Sequence, residues 1–436
     1  MRYSKAIQFL YELQWFGLKL GLENTRRLAA LAGNPHEQLR FIHVAGTNGK
    51  GSTCAMLESI YRTAGLRVGM FTSPHLVNFS ERIQVNRQPV SEAQVVELVE
   101  RTQVWLQDFP QDHSPTFFEV VTVMAMRHFA DQQCDLVIWE TGMGGRLDAT
   151  NIVTPLASAI TNVQFDHQQW LGDTLAKIAA EKAGIIKPQA PALTTADEPE
   201  ALAVIRDIAR RLAAPLTEVT PADTTAPPLD TLALPLLGAH QRLNAALALA
   251  VVRALAPGIP VSEAALREGL SRVYWPGRLQ VIEGACGQVN VLDGAHNPAG
   301  VAALCAAWAQ HFAGVQPTLI IGVLRDKDWP TMFRMLLPLA QAVYLVPVAS
   351  ARTAAPMDLM AACQRLHPPV RTVACGSLRE ALVLTDKAKH RLLTGSLYLV
   401  GEALERLGAL PTPPLNERAL NEWQAQPEPK TFSGHG

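Results

Sequence analysis

The chain lacks a Cys-x-x-C pair. Its six cysteines, Cys54, Cys134, Cys286, Cys305, Cys363 and Cys375, are scattered over apolar stretches. That pattern argues against a metal ribbon or a disulfide framework and for reduced, mostly buried thiols. The chain also lacks an excess of either charge. Its formal net charge is −1 at pH 7, which leaves no basic field to hold a nucleic-acid backbone. No long apolar run is present either. The first twenty residues are interrupted by Lys5, Glu12, Gln14 and Lys19, so the apolar core of a signal peptide is missing, and no stretch approaches the length of a membrane span. No internal repeat is found. These absences predict a soluble cytoplasmic protein, engaging neither nucleic acid nor membrane.

What is present is length and alternation. The chain has 436 residues, 48% hydrophobic and 18% charged, a globular balance too long for one ordinary core. Short apolar runs at 41–45, 67–71, 134–140 and 157–161 read as buried strands. Amphipathic stretches at 52–64, 92–107, 117–131 and 173–184 read as helices between them. That alternation predicts a mostly parallel sheet flanked by helices. The segment 213–230, rich in Pro, Thr and Ala, reads as a surface excursion, and 239–255 as a further helix. The stretch Tyr274-Trp275-Pro276-Gly277-Arg278 is a natural boundary, because Pro-Gly continues neither helix nor strand well. After it the pattern restarts, with strands at 289–292, 318–323, 342–347 and 397–400 and helices at 298–312, 329–337 and 356–366. The expected organisation is an N-terminal domain over 1–278, a smaller C-terminal α/β domain of Rossmann-like type over 279–410, and a partly disordered tail over 411–436.

The strongest local signal is Gly46-Thr47-Asn48-Gly49-Lys50-Gly51-Ser52, between a strand and a helix. Glycines let backbone amides converge on a polyphosphate. The helix N-terminus adds positive potential, Lys50 reaches the outer phosphates, and Ser52 can ligate Mg²⁺. The common P-loop places four residues between its first glycine and Gly-Lys. Here there are two, a shortened variant. Glu140, at the C-terminal end of a buried strand, stands where open α/β sheets bind ligands, and a buried acid there calls for a cation.

The loop resembles that of the Mur ligase superfamily of ATP-dependent carboxylate–amine ligases. Within it, the chain is similar to the bifunctional dihydrofolate synthase/folylpolyglutamate synthases. The resemblance rests on Thr72-Ser73-Pro74-His75-Leu76, Glu81-Arg82-Ile83, the run from Gly142 to Asn151, Asp166-His167, Glu181-Lys182-Ala183-Gly184-Ile185, Pro276-Gly277-Arg278 and Asp293-Gly294-Ala295-His296-Asn297-Pro298, in order along nearly the whole chain.

The resemblance implies a P-loop domain of the Mur ligase central type followed by a Mur-ligase-type C-terminal domain. It implies ATP as co-substrate, two Mg²⁺ ions and a possible monovalent cation. Loop 46–52, Asn244, Arg278 and Asp293 would bind ATP. Ser73, Glu140 and His167 would ligate Mg²⁺, and Lys182 would be carbamylated to help hold the second ion. Lys50, Lys182 and His296 would be catalytic. The pterin would be met by Gly17, Leu18 and Lys19, by Thr116, Phe117, Phe118 and Glu119, and by Leu147, Asp148 and Ala149. Aromatic rings can stack on a flat pterin and Asp148 can accept from its amino groups; one of Phe117 and Phe118 is expected to be helix core. Lys19 departs from the acid expected there in close relatives.

The implied partners are dihydropteroate, tetrahydrofolate and its polyglutamates, L-glutamate and ATP, acting on a monomer. Three other readings stay open on sequence alone: a polyglutamate-only enzyme, a peptidoglycan-type ligase, for whose extra N-terminal domain the position of Gly46 leaves no room, and a non-catalytic P-loop protein.

Overall fold

A computed structural model describes residues 1–14, 21–110, 114–284, 287–366, 369–411 and 415–422. Its first sheet has eight strands: β1 (Phe41–Ala45), β2 (Val68–Phe71), β3 (Ile83–Val85), β4 (Gln88–Pro89), β5 (Leu136–Glu140), β6 (Ala157–Ile160), β7 (Ala192–Thr194) and β8 (Leu216–Glu218), in the order β4-β3-β2-β5-β1-β6-β7-β8. Six run parallel, and β3 and β4 form an antiparallel edge. The central strand β1, Phe-Ile-His-Val-Ala, is buried at every position, as expected of a parallel strand covered on both faces.

One face packs against the helices Lys50–Thr63, Ala239–Leu255 and Glu263–Ser271. The other carries Tyr3–Leu13, Glu92–Leu106 and Phe117–Asp131. The last begins with Thr116, whose hydroxyl accepts from the Glu119 amide while the Glu119 carboxylate accepts from the Thr116 amide at 2.7 Å, a capping box that fixes where the helix starts.

The second sheet holds β9 (Gln280–Glu283), β10 (Val289–Leu292), β11 (Thr318–Ile321), β12 (Ala342–Leu345), β13 (Arg371–Ala374) and β14 (His390–Thr394), in the order β13-β12-β11-β14-β10-β9. Only β9 is antiparallel among these strands. The predicted α/β architecture with two sheets is therefore present.

Two expectations are corrected. The stretch 397–400 is no strand: it opens the helix Leu397–Arg406, whose N-cap Ser396 accepts from the Tyr398 amide at 3.1 Å. The strand lies just before it, as β14. An apolar run of that length does not separate strand from buried helix, and the Ser cap decides it. The segment 213–230 is not only a surface excursion, since it supplies β8 and the buried Leu229. Within the stretch expected as a tail, 415–422 forms an ordered piece with the 3₁₀ turn Glu417–Asn421, its Glu417 and Leu420 buried.

Of the cysteines, Cys54, Cys134, Cys363 and Cys375 are buried free thiols and Cys305 a half-buried one; Cys286 lies outside the described residues. Among the described residues no helix is long and apolar enough to cross a membrane.

Candidate active site

Both sheets present the C-terminal ends of their parallel strands to one cavity of about 1000 Å³. That is where open α/β sheets bind ligands. Loop 46–52 follows β1 and runs into the helix Lys50–Thr63. Gly46 and Gly49 both have positive φ, +147° and +88°. A Cβ on Gly46 would stand 1.7 Å from Thr161 Oγ1, and one on Gly49 would stand 2.5 Å from Asn244 Oδ1, so neither position admits a side chain. The loop is clamped by the β6 loop: the amides of Thr47 and Asn48 donate to Asn162 O and Oδ1 at 2.9 and 2.8 Å.

Two lysines share one carbonyl. Lys50 Nζ donates to Gly46 O at 3.2 Å and Thr47 O at 3.3 Å, and Lys182 Nζ donates to Gly46 O at 2.8 Å. Lys182 is 3% exposed. Burial, followed by repulsion from Lys50, lowers its pKa to about 7, because the charged form is expensive to desolvate. A lysine near a helix end is ordinarily solvated, and this one is not; a part-neutral amine is the form that reacts with CO₂.

Glu140 ends β5, buried, and its Oε2 accepts from the Ser73 amide at 3.0 Å. Burial raises its pKa, against the charges of Lys50, Arg278 and Arg82. Ser52 Oγ is buried with no hydrogen-bond partner among the described residues. Among the described residues no group of three or more His, Cys, Asp or Glu forms a ready-made cage. An orphaned hydroxyl and a buried carboxylate lining one cavity fit Mg²⁺, which is commonly held by one or two carboxylates plus substrate phosphates.

His167 has a left-handed backbone, φ +52°, and burial lowers its pKa to about 3, so it is neutral at physiological pH and open to ligation. Its neighbour Asp166 is the hub of a cluster that spans both sheets. Its Oδ1 accepts from Lys327 Nζ at 2.5 Å, its Oδ2 from Asn297 Nδ2 at 3.0 Å, and His296 Nε2 lies 3.6 Å from Oδ2. Burial alone would raise the Asp166 pKa. His296, Lys327 and His167 outweigh it and hold the carboxyl well below its usual range.

Asn297 also exchanges amide hydrogen bonds with Asn48, at 3.1 and 3.0 Å, tying the phosphate loop to the loop after β10. The sequence reading did not single out Lys327 or Asn297. The available signal was position alone, since each follows the C-terminal end of a parallel strand.

Asp293 uses both oxygens on its own surroundings, accepting from the amides of Leu279 and Ala295 at 2.8 and 2.9 Å. It thereby shapes the loop on which His296 sits; His296 Nδ1 is 2.8 Å from Gly294 O. Burial lowers the pKa of Arg278, whose guanidinium donates to Gly277 O at 3.0 Å. Asn244, buried within the helix Ala239–Leu255, donates to Gln241 Oε1 at 3.1 Å.

The segments expected to meet a pterin separate into two kinds. Phe117 is buried in the core, edge-on to Phe79, while Phe118 is half-buried and a Cβ on Gly142 would stand 2.5 Å from its ring. Asp148 is buried. Its Oδ2 accepts from Met143 N at 2.8 Å and its Oδ1 from Thr150 N at 3.0 Å. Phe118, Leu147, Asp148 and Ala149 line the cavity together with Thr116, Phe117 and Glu119. Gly17, Leu18 and Lys19 lie outside the described residues.

Comparison with known proteins identifies the family. Residues 44–217 match the Mur ligase middle domain and residues 277–397 the Mur ligase glutamate ligase domain. The dihydrofolate synthase/folylpolyglutamate synthase of Bacillus subtilis is 36% identical over 429 residues, covering 93% of this chain and 99% of that protein. The Escherichia coli protein of that name is 34% identical, covering 92% and 95%. The structure of E. coli FolC in complex with DHPP and ADP superposes with a TM-score of 0.82 at 32% identity, covering 94% of this chain and 98% of that one. The chain belongs to the dihydrofolate synthase/folylpolyglutamate synthase family of Mur ligases.

Proposed function

We propose that this chain is an ATP-dependent ligase that joins L-glutamate to the carboxylate of 7,8-dihydropteroate and adds further glutamates to reduced folates. The observation that carries the reading is the convergence, in one cavity, of a phosphate loop with Lys50 and Lys182, a buried Glu140–Ser73 pair, and an aromatic pocket at Phe118 with Asp148 at its wall. The division of labour follows the two sheets, with 1–278 as the ATP-binding domain, 279–410 as the second domain and 411–436 as the tail. A cytoplasmic monomer suits the role.

The reaction has two steps. An acceptor carboxylate oxygen attacks the γ-phosphorus of ATP, the bond to ADP breaks, and an acyl phosphate forms. The glutamate amine then attacks the acyl carbon, losing a proton, and phosphate leaves. Such transfers require placement and charge neutralisation more than covalent help. Loop 46–52 cradles the phosphates with its amides, and Lys50 neutralises their outer oxygens. Asn244, Arg278 and Asp293 hold the nucleotide. Ser52, Ser73 and Glu140 would hold one Mg²⁺, and His167 with carbamylated Lys182 the second. Bound there, the ions would polarise the phosphoryl and acyl oxygens. His296 faces the cleft through Nε2, next to Asp166, beside the path of the phosphate. A monovalent cation would be a further support of the same site.

The test is phosphate release over a panel of acceptors with glutamate. Turnover is expected with dihydropteroate and with tetrahydrofolate, and only when glutamate is present. Inactivity on dihydropteroate alone would reduce the function to polyglutamylation. ATP turnover independent of acceptor and glutamate would overturn the ligase reading.

A further inference from the structure

The chemistry above uses the Ser52 end of the cavity and leaves the opposite end without a role. The cavity reaches from Ser52, at the start of the helix Lys50–Thr63, to Arg62, at its end. At 1.5 Å per residue the two ends stand about 15 Å apart, with Ala55 and Ser59 buried between them and Ser59 Oγ donating to Gly269 O at 2.6 Å. Three arginines line the far end of the cavity: Arg62, Arg87 and Arg272. Arg62 donates to the buried Glu58 at 2.8 Å, and Arg272 pairs with Glu268 at 2.6 Å. Arg87 Nε stands 4.0 Å from Glu58, which already serves Arg62. Cations therefore outnumber acids there.

Arg87 carries a second signal. It forms the turn between β3 and β4 with Asn86, at φ +64° and +49°. Two positive φ values in a two-residue hairpin turn favour Asn-Gly. An arginine there accepts backbone strain that glycine would avoid, so the side chain explains the residue. Its guanidinium lies over the Trp275 ring, 5.5 Å from the centroid, and donates to Tyr274 O at 2.7 Å. Its Nη1 has no hydrogen-bond partner among the described residues.

The proposed chemistry creates a need for such a surface. The reacting carboxylate must always stand at the γ-phosphate, yet each turnover lengthens the acceptor by one residue. A pocket that seats dihydropteroate cannot seat the pteridine of a longer acceptor. The extended acceptor needs another path, and it carries one α-carboxylate per glutamate along it. Resting on the ligase reading, we infer that the end of the cavity lined by Arg62, Arg87 and Arg272 is the subsite for the oligo-γ-glutamyl tail of the acceptor.

The test compares dihydropteroate, which has no glutamate, with tetraglutamyl tetrahydrofolate in steady-state assays of Arg62→Gln, Arg87→Gly and Arg272→Glu. Arg87→Gly suits its turn, and Arg272 has an exposed side chain, so folding is preserved in at least these two. The KM for the tetraglutamyl acceptor is expected to rise about tenfold in Arg62→Gln and Arg87→Gly, the loss of one charge-assisted contact, and in the same direction in Arg272→Glu. Dihydropteroate turnover and the KM for ATP are expected to stay unchanged. An equal KM rise for both acceptors, a rise in the KM for ATP, or no change with either acceptor would each overturn the subsite while leaving the ligase reading intact. A wild-type chain inactive with every acceptor would instead overturn the ligase reading, and the subsite with it.

Discussion

Lys50, Lys182 and Glu140, carried by the first half of the molecule, find their partners within that half. Lys50 and Lys182 donate to Gly46 O, and Glu140 accepts from Ser73. Asn297 and Lys327, carried by the second, find theirs across the cleft. Asn297 meets Asn48 and Asp166, and Lys327 meets Asp166. The first set is preorganised whatever the other half does, and its cost is already present as desolvated charge. The second set exists only when the halves stand in register, so it reports closure. Lys50, Lys182 and Glu140 thus stand ready in one half, while the contacts of Asn297 and Lys327 sense how the two halves align.

Four substitutions would sharpen or break that contrast. Lys50→Ala should lower turnover by about 10³-fold with the fold intact, since it removes the cation nearest the developing phosphate charge; phosphate release with a circular-dichroism control measures it. Lys182→Ala should lower turnover by about 100-fold, with partial recovery on adding short-chain carboxylic acids if a carbamate is the working form. Absence of any recovery would count against carbamylation.

Lys327→Gln should cost about tenfold in kcat/KM, one charge-assisted hydrogen bond, without changing the melting temperature. A large loss of stability would mean the cross-cleft contacts are structural rather than conditional.

The smallest effect concerns pH. Lys182 titrates near 7 in the folded chain, against an ordinary lysine value of 10.5. Between those values the unfolded chain binds the extra proton, so stability rises with pH across that window, and the penalty of burial is complete below about 7. Lys182→Met should therefore raise the melting temperature more at pH 6 than at pH 9 in bicarbonate-free buffer. Equal shifts would show that packing, not charge, sets the difference.

How much was legible in the sequence follows the same division. Loop 46–52 was readable because backbone requirements leave a local trace: glycine where φ is positive and a lysine at the helix start. Glu140 was readable because an acid after four apolar residues is anomalous. Lys327 was not, since a lysine in the charged loop Arg325-Asp326-Lys327-Asp328 looks solvated until Asp166, 161 residues away, is placed beside it. The helix at Leu397–Arg406 was misread because its apolar run fits two geometries and only the cap at Ser396 separates them. Edge strands such as β9, with alternating half-buried and exposed residues, carry too weak a period to stand out. The segment 415–422 was hidden by composition, because its burial comes wholly from distant partners.

That segment changes the mechanics of the molecule. After leaving the second sheet the chain returns to the first half. Glu417 accepts from the Phe79 amide at 2.7 Å and from Tyr3 Oη at 3.0 Å, and Asn421 and Arg82 join at 2.6 Å. Arg418 and Glu422 meanwhile keep hold of Glu405 and Arg352 in the second half. The polypeptide thus crosses between the halves at two separate places, at 276–278 and again here. Two bodies joined at a single point can swivel about any direction. Joined at two, they are left with rotation about the line between the joints, like a door on paired pins, and every opening of the cavity must follow that one axis.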